Sequence, residues 1–149
     1  MVAVRNYSQD IVRMLIVDDE DMARRLVKRI MDQYVNQKIK DLGYKIEIEE
    51  ASDPISVLEG KCFEKSDIVL TDHKMFSMCG ATLTRELRKE GYENPVIGMS
   101  ADLDAEERFK HAGANDFVYK FDLGKLLPKL IPQYADDVKK GKYKKKGNF

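Results

Sequence analysis

Five residues able to hold a metal ion or a phosphoryl group each sit at the end of a short apolar run. Asp18 and Asp19 follow Met-Leu-Ile-Val, Asp72 follows Ile-Val-Leu-Thr, Ser100 follows Val-Ile-Gly-Met and Lys120 follows Phe-Val-Tyr. If the runs are parallel strands, their carboxyl ends share one edge, and these side chains converge on the crevice where ligands bind open α/β sheets. Two carboxylates about 4 Å apart repel by on the order of 4 kcal/mol at an effective dielectric near 20. An octahedral Mg²⁺, or Mn²⁺, offsets that repulsion with hard oxygen ligands and leaves positions open for water and phosphate. Asp19 and Asp72 are the expected direct ligands, with Asp18 acting through a metal-bound water and the backbone carbonyl of Lys74 as a further ligand. In such a site the Asp72 carboxylate is the nucleophile toward a phosphoryl group, giving an acyl phosphate. Lys120 and the Ser100 hydroxyl would hold the phosphoryl oxygens. His73 and His111 are the two histidines, and neither is assigned a catalytic part. The Lys74 side chain is expected at the mouth of the site, screening the acyl phosphate from water.

The elements that must position these groups follow from periodicity. Apolar runs alternate with helical stretches, a βαβα order that predicts a parallel sheet covered on both faces. Strands are expected over about 13–17, 45–50, 67–71, from 95, and 116–119. The second alternates Ile46 and Ile48 with Glu47 and Glu49, as a half-exposed edge strand does, whereas the third is apolar on both faces and therefore central. The first helix offers Met22, Leu26, Ile30 and Tyr34, joined by Ala23, Val27 and Met31, as the stripe facing the sheet; the pattern continues through Ile39 and Leu42 to a stop at Gly43, with Val35-Asn36 as an alternative, earlier interruption. Asp53-Pro54 opens a helix and Gly60 closes it. A further helix follows Gly80, another spans about 104–112, and a last one about 123–134. Pro128 and Pro132 predict a kink or break in that last helix, at about 3 kcal/mol each in a helix interior.

The 149 residues suit one domain, expected over 12–135 between a leader (1–11) and a basic, flexible tail (136–149). Twenty-six basic and 26 acidic residues balance, so no global field argues for nucleic acid, and any electrostatic function is local. The two cysteines, Cys62 and Cys79, form no disulfide framework. No stretch approaches the roughly 20 apolar residues of a membrane span. A cytoplasmic location is expected.

Taken together, Leu-Ile-Val-Asp-Asp-Glu-Asp, Val-Leu-Thr-Asp-His-Lys-Met-Phe-Ser-Met-Cys-Gly, Ile-Gly-Met-Ser-Ala and Ala-Gly-Ala-Asn-Asp-Phe-Val-Tyr-Lys resemble the receiver domain of two-component response regulators and hybrid histidine kinases. The resemblance runs from about residue 12 to 134. It implies a flavodoxin-like, doubly wound (βα)5 fold with a five-stranded parallel sheet in the order 2-1-3-4-5. It also implies Mg²⁺-dependent phosphotransfer onto Asp72 from a histidine kinase or histidine phosphotransfer protein. Signalling would pass through Ser100 and the aromatic Phe117 to the face made by the fourth helix, fifth strand and fifth helix, where a homodimer could also form. Ala101 leaves room for the donor imidazole.

Three positions depart from the pattern. Phe76 stands where the loop usually has proline, Phe121 replaces the proline that usually follows the lysine, and the connection from the first helix to the second strand is longer. A cis Lys120-Phe121 bond would cost roughly 2.5–4 kcal/mol, so a trans bond or local strain is expected. The chain is expected to act through partner binding or to be a piece of a hybrid kinase. A phosphorylation-independent scaffold is the alternative. A phosphatase of the haloacid dehalogenase type is disfavoured, because the position two residues after Asp72 would need an acid and holds Lys74.

Overall fold

The computed structural model describes residues 10–143. Among them, five parallel strands form one sheet in the order β2-β1-β3-β4-β5: β1 (Ile11–Val17), β2 (Lys45–Ala51), β3 (Ile68–Asp72), β4 (Val96–Ser100) and β5 (Asp116–Tyr119). Each lies within two residues of its expected position, and β2 is the half-exposed edge while β3 and β4 are buried throughout. The register aligns the carboxyl ends: Val17 pairs with Thr71, Asp72 with Met99, and Ser100 with Tyr119.

Alternation along β1 feeds two cores. Met14 and Ile16 face α1 (Asp21–Ile30) and α6 (Leu123–Lys139), whereas Leu15 and Val17 face α3 (Pro54–Glu59) and α4 (Gly80–Lys89). A smaller cluster around Phe109 packs α5 (Ala105–Ala112) over the β4 and β5 end of the sheet. This is the doubly wound arrangement expected of an α/β sheet with helices on both faces.

The expected stripe of the first helix is corrected. Met22, Leu26 and Tyr34 are exposed, and the buried line is Val27, Ile30, Met31, Val35 and Ile39. Val27, Ile30 and Met31 set the buried face, and a π-helical turn at Met31–Val35, between α1 and α2 (Asn36–Asp41), carries that face on to Val35 and Ile39 instead of Tyr34. Each π turn takes an extra residue, so Met31, Val35 and Ile39, four apart, stay on one face instead of drifting around the helix. Gly43 then adopts φ +90°, and the Gly43 and Tyr44 amides bond back to the carbonyls of Lys40 and Ile39.

The last helix is also corrected. It neither breaks at its prolines nor stops at Tyr134, but runs as α6 to Lys139. Pro132 has no N–H to give the carbonyl of Pro128, four residues earlier, and the Lys38 ammonium donates to that oxygen instead, at 3.2 Å. Tyr44, the residue before β2, donates to Asp136 Oδ1 at 3.1 Å, so the helix is tied to the fold beyond the expected domain limit at residue 135. The tail expected from residue 136 therefore begins as helix, and the readings made for 1–9 and 144–149 lie outside the described residues. No helix among the described residues is long and apolar enough to cross a membrane.

Candidate functional site: an acidic cluster at the carboxyl edge of the sheet

The first acidic group is fixed by backbone. The Asp18 amide extends the ladder to the Ala51 carbonyl (3.1 Å), and the Arg24 guanidinium donates to the Asp18 carbonyl (2.6 Å), which leaves the side chain turned into the fold. Asp18 is fully buried, its Oδ1 accepting from the Glu20 amide (3.0 Å) and its Oδ2 from Lys120 Nζ (3.2 Å). Asp19 is exposed and accepts at Oδ2 from the Phe76 amide, 3.0 Å away.

Asp72 ends β3, is buried, and lies 3.0 Å from Lys120 Nζ through Oδ1. Burial first, and then the Asp18 charge, push its carboxyl up to about 6, against the opposing pull of Lys120. Burial alone would lower the Lys120 ammonium, but its bonds and attraction to Asp72 and Asp18 outweigh that and hold it above the ordinary lysine value. One oxygen from each of Asp18, Asp19 and Asp72 lies within 4.8 Å of the others. Three carboxylates thus face one ammonium, an excess of negative charge in hard oxygen donors.

Ser100 is buried at the end of β4, one residue beyond the partner of Asp72, and its hydroxyl accepts from the Asp102 amide at 3.0 Å. The Lys74 side chain is well exposed, and its ammonium stands 3.8 Å from the Asp102 carboxylate. The Lys120–Phe121 bond is trans, since the described residues contain no cis peptide. The Phe121 ring is exposed and lies 5.0 Å from that of Tyr119.

Phe117 is half-buried, its ring 5.9 Å from that of Phe109, which in turn lies 5.3 Å from the imidazole of His73. Phe109 is fully buried, and two glycines make room for it. A Cβ on Gly98 would collide with its ring, and one on Gly80 would lie 2.7 Å from its Cζ and strike the Asp72 carbonyl. Phe109 thus links the neighbour of Asp72 to Phe117. Sequence reasoning missed it, although an aromatic on α5 opposite a strand glycine was available as a signal. His73 is buried with Nδ1 unpartnered, and burial and then Arg108 lower its imidazole pKa.

The family model described as "Response regulator receiver domain" matches residues 14–130. The sensor histidine kinase RcsC of Salmonella typhimurium is 32% identical over 135 residues, 89% of this chain and 13% of that kinase. The response regulator MprA of Mycobacterium ulcerans is 30% identical over 122 residues, 80% of this chain and 48% of that protein. This chain therefore spans less than half the length of either relative. Among solved structures, the signal receiver domain of NarL from Mycobacterium tuberculosis superposes with a TM-score of 0.64 at 24% identity, covering 89% of this chain and 98% of that one. The receiver domain of a Luxo repressor protein from Vibrio parahaemolyticus reaches 0.69 at 19% identity, covering 88% and 95%. These two likenesses concern the fold, which is the expected one. With a matched family model over most of its length and relatives above 30% identity, the chain belongs to the response regulator receiver domains of two-component systems.

Proposed function

We propose that this chain is a phosphorylatable receiver, taking a phosphoryl group from a phosphohistidine onto Asp72 with Mg²⁺, and switching the binding of a partner. The observation that carries the reading is the Lys120 ammonium set between Asp18 and Asp72 beside an exposed third carboxylate. The donor set fits a hard dication: the oxygens of Asp18, Asp19 and Asp72 are within reach of one another and a single ammonium leaves their charge uncompensated. Asp19, Asp72 and the Lys74 carbonyl would hold the ion, with Asp18 reaching it through water. When bound, Mg²⁺ neutralises the carboxylates and polarises the phosphoryl oxygens.

The chain's own groups supply the rest. An Asp72 carboxylate oxygen attacks phosphorus, the P–N bond to the donor imidazole breaks, and its electron pair stays on that nitrogen, which then takes up a proton. At neutral pH, above its value of about 6, Asp72 is mostly ionised and competent to attack. Lys120 exchanges its contact with Asp72 for a phosphoryl oxygen, and the Ser100 hydroxyl leaves the Asp102 amide for another. That movement reaches Phe117, which lines a groove of about 340 Å³ with Glu106, Phe109, Lys110 and Asp116 on the α5 and β5 face. Partner binding, or pairing with a second copy, is assigned to the face of α5, β5 and α6.

The donor side is supported by the rim around Asp72. Exposed apolar side chains follow each strand: Met22, Ile55, Phe76, Leu103 and Phe121. They suit the apolar surface of a histidine kinase or phosphotransfer protein. Incubation with acetyl phosphate or phosphoramidate and Mg²⁺ should add one phosphoryl mass, absent in Asp72→Asn and absent after chelation. A gain that persists in Asp72→Asn would reject the assignment.

A further inference from the structure

The loop that follows Asp72 carries a hydrogen bond that its side chains do not provide. The Phe76 amide donates to Asp19 Oδ2 at 3.0 Å, while Phe76 as a residue is 99% exposed. Among the described residues no other donor is placed on the Asp19 carboxylate, so Oδ1 is left without one. The donor is itself held on both sides. Ser77 donates to Asp53 Oδ1 at 2.8 Å, and Asp53 is fixed by accepting from the Ile55 amide (3.0 Å) and the Ser56 hydroxyl (3.1 Å). The Gly80 amide closes the loop onto the His73 carbonyl at 2.8 Å.

We propose that the Phe76 N–H is a positioning group for a divalent metal ion: it fixes the otherwise exposed Asp19 carboxylate through Oδ2 and leaves Oδ1 to the ion. This rests on the metal site of the preceding section. A free aspartate on a loop samples several rotamers and must be ordered when the ion arrives, whereas a charge-assisted N–H bond orders it beforehand. Loss of the hydrogen-bond partner of a metal ligand typically costs about 10–100-fold in metal affinity. A proline at position 76 has no N–H to give, so the chain's departure to phenylalanine creates this donor.

The test is Mn²⁺ binding to the metal-free full chain, read by the electron paramagnetic resonance of free Mn²⁺ with no phosphoryl donor present. Three variants separate the parts. Phe76→Ala removes the ring and keeps the amide, Phe76→Pro removes the amide, and a backbone ester at position 76, introduced with phenyllactic acid, removes only the N–H. The ester also covers the case in which the proline variant fails to fold. The expected result is a loss of about tenfold or more in the proline and ester variants, with Phe76→Ala within about twofold of the parent. Parent-like binding by the ester variant, or an equal loss in Phe76→Ala, would overturn the role of the amide. A parent chain that takes up no Mn²⁺ would instead overturn the metal site, and this proposal with it.

Discussion

Asp72 is held between two opposing influences, and the balance has a measurable consequence. Burial and the Asp18 charge raise its pKa from 3.8 to about 6, so the folded metal-free protein prefers the protonated form more than the unfolded chain does. Its contribution to stability is therefore fully present below about pH 4 and is lost as pH rises through about 6. That rise corresponds to on the order of 2–3 kcal/mol. Asp72→Asn, which mimics the neutral form, should be more stable than the parent at pH 7 in chelator by about that amount, and the two should converge near pH 4. Urea unfolding at the two pH values checks this, and an Asp72→Asn variant no more stable at neutral pH would contradict it. Asp18, Asp19, Asp72, Ser100 and Lys120 were legible because their chemistry is written in their side chains. The Phe76 donor was not, since a backbone N–H has no letter of its own. Phe109 was not either, because its place depends on the absence of side chains at Gly80 and Gly98.

At the scale of elements, strand positions were readable from period-two alternation and apolar runs, whereas two helices were misread for definable reasons. The first helix contains more apolar residues than one face can bury, and the π turn at Met31–Val35 selects Val35 and Ile39 over Tyr34. The last helix keeps its course because an element distant in sequence answers the carbonyl that Pro132 leaves free: Lys38 lies 90 positions from Pro128. A double-mutant cycle measures this compensation. Pro132→Ala restores an in-helix donor to the Pro128 carbonyl, so Lys38→Ala should cost less in that background than in the parent, with a coupling of about 0.5–1 kcal/mol. Strictly additive effects on the unfolding free energy would show that Lys38 does not serve the proline gap. The helix capped by Asp53 was legible in full, since the cap, the proline at its first position and the Gly60 stop are local signals.

At the scale of the whole molecule, the parallel order brings residues separated by up to 102 positions to one edge, as the Asp18 to Lys120 contact displays. That convergence could be anticipated because strand ends in an open parallel sheet share an edge. The match of the family model over residues 14–130 agrees with it. The same architecture places Ser100 and Phe117 on adjacent strands, with Phe117 lining the groove against Phe109. The central claim is that one carboxylate at that edge carries the phosphoryl group. The most direct measurement is borohydride reduction of the protein after reaction with acetyl phosphate and Mg²⁺, followed by peptide sequencing. An acyl phosphate is reduced to the alcohol, so homoserine is expected at position 72, dependent on Mg²⁺. Homoserine at another aspartate, or none at any position while a phosphoryl mass is present, would contradict it.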